Sequence, residues 1–389
     1  MMMIWLGVLL AIIVLFVAGF QYLAWYQRWE RQQTRGMAYY GRSLAERRAL
    51  KARIRVYSRL AVPFVKLLAM DAQKRTTMPA FEFDGVCGPT SVSSPQVFER
   101  AKNYQPRPED VFVATQMRCG TTWMQQLVYE VVQGGRGDLS DRGHGHLYAT
   151  CPWIDGVNSV TLEDAPLIGE KPIRIIKTHL PAKLCPYSEG AKYIYVTRHP
   201  VSCFASIVDF NHSLLGPLMP DPSKMAEWFC SDRMYWLPWP QHVEGWWQWS
   251  QTRHNVLFVH YEEMTKNFPG VLARVAGFLG YQLTDEEIGR VTEKCSFQYM
   301  KANEELFEMA PPNMFSVTGG HFLANGKASR YEDVTPAVRH AIVDYCRKSL
   351  FGGSYPVGKF YPDFMIAADV AGVSAGGSVT ILPNVHAQS

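Results

Sequence analysis

Residues 110–130 read DVFVATQMRCGTTWMQQLVYE: an apolar run, a turn of small residues carrying one arginine, then a helical pattern. Val111, Phe112, Val113 and Ala114 are continuously apolar, as a parallel strand buried on both faces requires. From Trp123 onward Met124, Leu127, Val128, Val131 and Val132 fall on one helical face, and Gly134-Gly135 supplies a left-handed stop. Between strand and helix, Arg118, Cys119, Gly120, Thr121 and Thr122 bring a glycine, two hydroxyls and a row of backbone N–H groups to a helix N-terminus. The helix dipole favours an anion there, so the turn has the chemistry of a phosphate cradle.

The chain downstream reads as equipment for a ligand at that turn. After a long loop, 134–171, of the kind that often serves as a lid or binding loop, RIIKTHLP at 174–181 is a strand ending in Lys177 and His179 and stopped by proline. Ligands of parallel α/β sheets lie beyond the carboxyl ends of the strands, which is where both side chains fall. A third strand, 193–197, runs into Arg198-His199-Pro200 and a helix over 201–210, so Arg198 and Ser206 can offer a fork and a hydroxyl to a second anionic group. A fourth, 256–259, ends in His260 and Tyr261. Four apolar strands alternating with helical segments predict an α/β domain with a mainly parallel sheet flanked by helices.

The whole chain sets the frame. Its 389 residues suffice for one large α/β domain with appendages. The net charge of +4 is unremarkable, and no nucleic-acid partner is expected. The eight cysteines stand singly with no C-x-x-C pair, which argues against zinc and for a reduced compartment. Residues 1–27 carry no charged side chain and are long enough to span a bilayer, with Trp5 at one interface and Tyr22, Trp25 and Tyr26 at the other. Arg28, Arg31, Arg35 and further basic residues up to Arg59 follow, so the positive-inside rule puts the main domain on the cytoplasmic side of a single-pass anchor. This basic stretch either lies on anionic lipid or is a solvated linker helix. Residues 61–108 are proline-rich and expected to be irregular, apart from a short edge strand at 79–84. The divisions are thus an anchor (1–27), a basic segment and linker (28–108), a catalytic domain (109–365) and a flexible tail (366–389), in which 379–382 can add an edge strand.

From about 109 to 362 the chain resembles the sulfotransferases that use 3′-phosphoadenosine 5′-phosphosulfate (PAPS), in their cytosolic-type branch. Several motifs occur in the right order: RCGTTW at 118–123 resembles the 5′-phosphosulfate loop, KTHLP at 177–181 the catalytic strand end, and YVTRHPVSCFAS at 195–206 the 3′-phosphate motif. HYEEM at 260–264, CSFQYM at 295–300 and NGKASRY at 325–331 resemble the later nucleotide-binding segments. The resemblance implies a P-loop-NTPase-like fold in which Arg118, Cys119, Gly120, Thr121 and Thr122 hold the 5′-phosphosulfate. Arg198 and Ser206 would bind the 3′-phosphate, Gly326, Lys327 and Arg330 would close over it, and Trp123 and Phe297 would sandwich the adenine beside Tyr261. His179 would be the general base, with Lys177 and Arg118 neutralising charge on the sulfuryl and bridging oxygens, and no metal is required.

Two departures stand out: Arg118 replaces the usual lysine and cannot donate a proton as an acid, and Cys119 replaces serine. A P-loop kinase or ATPase would need G-x-x-x-x-G-K-[ST], whereas here Gly120 stands alone and no lysine precedes Thr121. An inactive membrane-tethered relative is a further alternative, against which the retention of Lys177 and His179 counts. The acceptor is a hydroxyl or an amine. The aromatic stretch 234–249 and the anchor point to a hydrophobic or lipid-like alcohol.

Overall fold

The computed structural model describes residues 1–74, 78–315, 323 and 329–365. Expectations for Gly326, Lys327 and the tail 366–389 lie outside the described residues.

At the centre is a four-stranded parallel sheet of β3 (Asp110–Thr115), β4 (Arg174–Thr178), β5 (Lys192–Thr197) and β6 (Val256–His260), in the order β4-β3-β5-β6. Strands β1 (Ala80–Phe83) and β2 (Val86–Pro89) form a separate antiparallel hairpin where the sequence predicts an edge strand. Alternate side chains of the large sheet feed two cores. Phe112, Ala114, Ile176, Tyr193 and Tyr195 enter one, and Val111, Val113, Ile175, Ile194 and Val196 the other. Both faces are covered, which is why the strands read as unbroken apolar runs.

The chain passes from β3 to β4 on one side and then returns to β5 on the other, so the strand order reverses around β3. A crevice at such a reversal is the usual ligand site of open parallel sheets, and the arginine-bearing turn sits in it.

At the opposite end of the sheet, Arg174 Nε lies 2.9 Å from Asp110 Oδ1, while Tyr104 Oη and the Arg107 backbone N–H donate to Asp110 Oδ2 at 2.7 and 2.8 Å. This buried pair joins the starting ends of β3 and β4.

The N-terminal region is two long helices, Met2–Thr34 and Leu44–Ala72, the second opened by a Ser43–Glu46 capping box. The second helix continues through Pro63 to Ala72, so the irregular join expected from residue 61 is helical over its first twelve positions. Contact with the first helix, through Ala61 and Val65, keeps the segment helical despite the proline. Among the described residues, Met3–Thr34 is the one helix long and apolar enough to cross a membrane.

Removing one partner from a buried ion pair strands the other charge. Asp110→Asn is therefore expected to lower unfolding free energy by about 3–5 kcal/mol, measured by urea denaturation; a change below the error of that measurement would mean Arg174 finds another partner.

Candidate active site

A cavity of about 630 Å³ opens beyond the carboxyl ends of the strands. Its walls include Arg118, Gly120, Thr121, Thr122, Trp123 and His179, joined by Arg198, Ser206, Tyr261, Phe297 and Arg330. Side chains far apart in sequence thus meet in one space.

The turn after β3 is built on two left-handed residues, Arg118 at φ 63° and Gly120 at φ 103°. A Cβ at Gly120 would stand 2.7 Å from Tyr261 Cδ2, so close packing as well as backbone conformation demands glycine. Gly120 caps the helix Thr121–Val132, and the Thr121 hydroxyl is tied to Thr115 Oγ1 at 2.6 Å. Cys119 turns away from the cavity: its thiol is buried, 3.7 Å from Cys203 Sγ. Only its backbone belongs to the cradle.

Arg118 leans toward the β5 side, with Nε 3.3 Å from Ser206 Oγ and its guanidinium over the Phe210 ring. Desolvation, followed by the charge of Arg198, pulls the Arg118 pKa down to about 10. It remains a cation at neutral pH. Arg198 lies over the Tyr261 ring at 4.2 Å. Arg330 is buried at the same end and held by Asp209 and Asp333 at 2.6 and 2.8 Å. Trp123 stacks on Phe268 at 5.7 Å and meets Tyr261 edge-on, while Phe297 is part-exposed at the cavity wall.

His179 is fixed from three directions. Its Nδ1 is 2.9 Å from the Thr115 carbonyl oxygen, which can only accept, so Nδ1 carries the proton. Its backbone N–H donates to Asp155 Oδ1 at 3.1 Å, and its carbonyl accepts from His242 Nε2 at 3.0 Å. Nε2 is left with a lone pair and no protein partner among the described residues. Burial, reinforced by the nearby Lys177 charge, holds the imidazole well below its ordinary pKa and therefore neutral.

Lys177 behaves differently from the sequence expectation. Its amine does not line the cavity; it lies 3.7 Å from the centre of the Trp153 ring, 5.2 Å from that of Tyr148 and 2.9 Å from Met309 Sδ. Burial drives its pKa down to about 7 against the opposing pull of Asp155. The Asp155 carboxyl is itself raised, first by burial.

Three positioning residues carry no sequence signal of their own. Asp155 comes from the long loop 134–171, expected to be a lid or binding loop. Its segment runs beside β4, where Ile154 N–H donates to the Lys177 carbonyl and Lys177 N–H to that of Pro152. The Asp155 carboxylate also accepts from Thr178 Oγ1 at 2.8 Å. His242 comes from the helix Trp239–Thr252 and is oriented by Tyr195 Oη at 2.9 Å. Gln116, at the end of β3, donates to the carbonyls of Tyr235 and Leu237 at 2.9 and 2.6 Å. It clamps a turn whose Trp236 and Leu237 both have positive φ, and so holds the Trp236 ring 4.8 Å from His179. Within the aromatic stretch 234–249, Tyr235 and Trp236 line the cavity, whereas Trp239 and Trp246 are core.

Residues 108–353 match the family model described as the sulfotransferase domain. The mouse (Mus musculus) sulfotransferase 1A1 is 32% identical over 54% of this chain and 72% of its own length. Among solved structures, mouse sulfotransferase SULT7A1 complexed with PAP is similar at TM-score 0.57 and 19% identity, over 74% of this chain and 98% of that one. Retinol dehydratase in complex with androsterone and inactive cofactor PAP aligns at TM-score 0.56 and 22% identity, over 76% and 96%. These two likenesses are likenesses of fold.

Alanine at position 120 would have to hold a strained backbone and push Tyr261 aside. Gly120→Ala is expected to cost about 1–3 kcal/mol of stability, read from the urea unfolding midpoint; an unchanged midpoint would show that the turn can relax.

Proposed function

The chain belongs to the sulfotransferase family and is a PAPS-dependent sulfotransferase, and from that premise we propose that it moves the sulfuryl group in line onto an acceptor hydroxyl with His179 as general base. The acceptor oxygen bonds to sulfur as the bond between sulfur and the phosphate oxygen breaks. The hydroxyl proton passes to His179 Nε2, and a sulfate ester and PAP are released. The observation that carries this reading is the state of His179: Nδ1–H is committed to Thr115, the ring is kept neutral by burial, and Nε2 is the remaining acceptor in a cavity shared with the anion cradle.

The residues fit the co-substrate. The Gly120 cradle that a Cβ would fill, the helix N-terminus behind it and Thr121 and Thr122 suit the 5′-phosphosulfate, with Arg118 and the Cys119 backbone N–H. Arg198 and Ser206 hold the 3′-phosphate in this reading, with Arg330 steadied behind them by its two aspartates. Trp123, Phe297 and Tyr261 receive the adenine, and since Phe268 covers one face of Trp123, the base takes the other. Lys177 supplies charge to the sulfuryl and bridging oxygens once its amine leaves the Trp153–Tyr148 cage; a bound anion draws it out and restores its proton.

The acceptor proposed is a hydrophobic alcohol. Phe210, Leu214, Leu215 and Trp236 give the cavity an apolar lining, and the similar retinol dehydratase was solved with androsterone. The apolar N-terminal helix anchors the enzyme in a membrane, and the arginines that follow keep the catalytic domain on the cytoplasmic side.

His179→Ala is expected to reduce sulfate transfer from labelled PAPS by at least about 10²-fold while PAP affinity, measured by calorimetry, is retained. Full activity in the variant would sink the base assignment. The pH profile of kcat/KM provides a separate check. A depressed His179 pKa keeps the base neutral as pH falls, so the acid limb lies below the ordinary histidine value of about 6.5. Lys177 loses its charge as pH rises through about 7, giving the alkaline limb. An acid limb at or above the ordinary value would contradict the burial of His179.

A further inference from the structure

The far end of the cavity is lined by Gln27, Leu214, Leu215, Leu218 and Pro220. Gln27 belongs to the helix Met2–Thr34 and closes its uncharged run. Leu218 packs on Leu23, Tyr26, Ala61 and Val65, where the two long helices meet. The cavity wall and the apolar helix are therefore one continuous surface.

The second helix returns antiparallel beside the first. Tyr26 Oη donates to the Ile54 carbonyl and Tyr22 Oη to that of Tyr57, both at 3.0 Å, and Phe64 packs against Phe16 and Phe20. Its other face is left bare: Leu60 is 64% exposed, Leu67 47% and Met70 68%, with Val56 and Val62 also exposed. At its end the Gln73 carbonyl accepts from Asp221 N–H at 3.3 Å, and Gln73 Nε2 donates to the Pro217 carbonyl. The bare face thus ends at Pro217 and Asp221, beside the cavity-lining Leu218 and Pro220.

Charge identifies what covers that face. Arg47 is buried on the carbonyls of Arg42 and Gly145, while Arg48 and Lys51 are paired with Glu305 and Glu308. Arg28, Arg31, Arg35, Arg53, Arg55 and Arg59 are exposed and have no ion pair among the described residues. Three basic residues of the stretch are structural, and the six exposed arginines complement anionic headgroups beside an apolar surface. Lys66, exposed on the same helix, has a stem long enough to reach the headgroups.

We propose that the helix Leu44–Ala72 enters the bilayer beside the apolar helix over its part beyond Arg59, with Arg53, Arg55 and Arg59 at the headgroups, and that the acceptor, a monoalcohol dissolved in the bilayer, enters the cavity laterally between Gln27 and Leu218. This rests on the sulfotransferase reading and adds the route and the physical state of the acceptor. The hydroxyl leads toward His179 while the apolar body trails into the lipid.

The test uses the full chain reconstituted in phosphatidylcholine–phosphatidylserine vesicles with labelled PAPS, hexadecanol as the membrane acceptor and para-nitrophenol as the soluble one. Sulfation of hexadecanol is expected to follow its mole fraction in the bilayer and to fall when lipid is added at fixed total alcohol; para-nitrophenol sulfation is not. The double variant Leu67→Glu/Met70→Glu should lose about tenfold in the hexadecanol rate and keep PAP binding and para-nitrophenol sulfation. If that variant fails to fold, Arg53→Glu/Arg55→Glu, on the polar face, should show the same selective loss on these vesicles and not on phosphatidylcholine alone. A hexadecanol rate indifferent to added lipid, or one unaffected in the variants, overturns the proposal. Bound PAP with neither alcohol sulfated overturns the underlying transferase reading instead.

Discussion

A parallel sheet covered on both faces meets solvent only at its strand ends, and that constraint organises the catalytic domain. Every side chain assigned to chemistry sits on or just past the carboxyl end of β3, β4, β5 or β6, or on an element packed against those ends. Reversal of strand order around β3 opens the crevice, and the turn at Gly120 fills its floor with backbone N–H groups. The opposite ends are occupied by a buried ion pair instead, so one edge of the sheet is spent on cohesion and the other on binding.

Within the crevice His179, proposed as the base, is held from three sides. His179 has its ring, its amide and its carbonyl each tied to a different element, which suits a group whose lone pair must point at one place. Arg118 and Arg198 line the cavity and the Lys177 amine is buried behind it, and the depression of the Arg118 and Lys177 pKa values expresses first the cost of burying charge and only then the nearness of like charges. An arriving dianionic group relieves that cost. Electrostatics is thereby tied to occupancy: the cations are most strongly charged when there is an anion to hold.

The N-terminal helices extend the same logic to the surroundings of the enzyme. A hairpin apolar on its outer face and basic near its base is stable against a lipid surface and poorly suited to water. Because Gln27 on its inner face lines the cavity, the proposed membrane attachment and acceptor entry share one surface.

Much of this was legible in the residues alone. Periodicity marks the four strands and the helix after β3, because a strand buried on both faces cannot hide its apolar run, and the motifs around Arg118, Lys177, His179, Arg198 and Ser206 sit at strand ends that topology must bring together. What sequence could not disclose were contacts between distant segments. Asp155 looks like any loop carboxylate until the loop is seen to pair beside β4, and Gln116 and His242 acquire their roles only from the backbone groups they meet. The caged amine of Lys177 and the inward turn of Cys119 were equally hidden, since a side chain's direction depends on neighbours supplied by other elements. The division of the basic stretch into paired and bare residues followed the same rule. Local sequence determined which segments form strands, helices and an anion-binding turn, through periodicity and backbone preference; only the tertiary structure decided which polar groups are satisfied, which are turned to the cavity and which are left exposed, because those outcomes are set by packing across the fold.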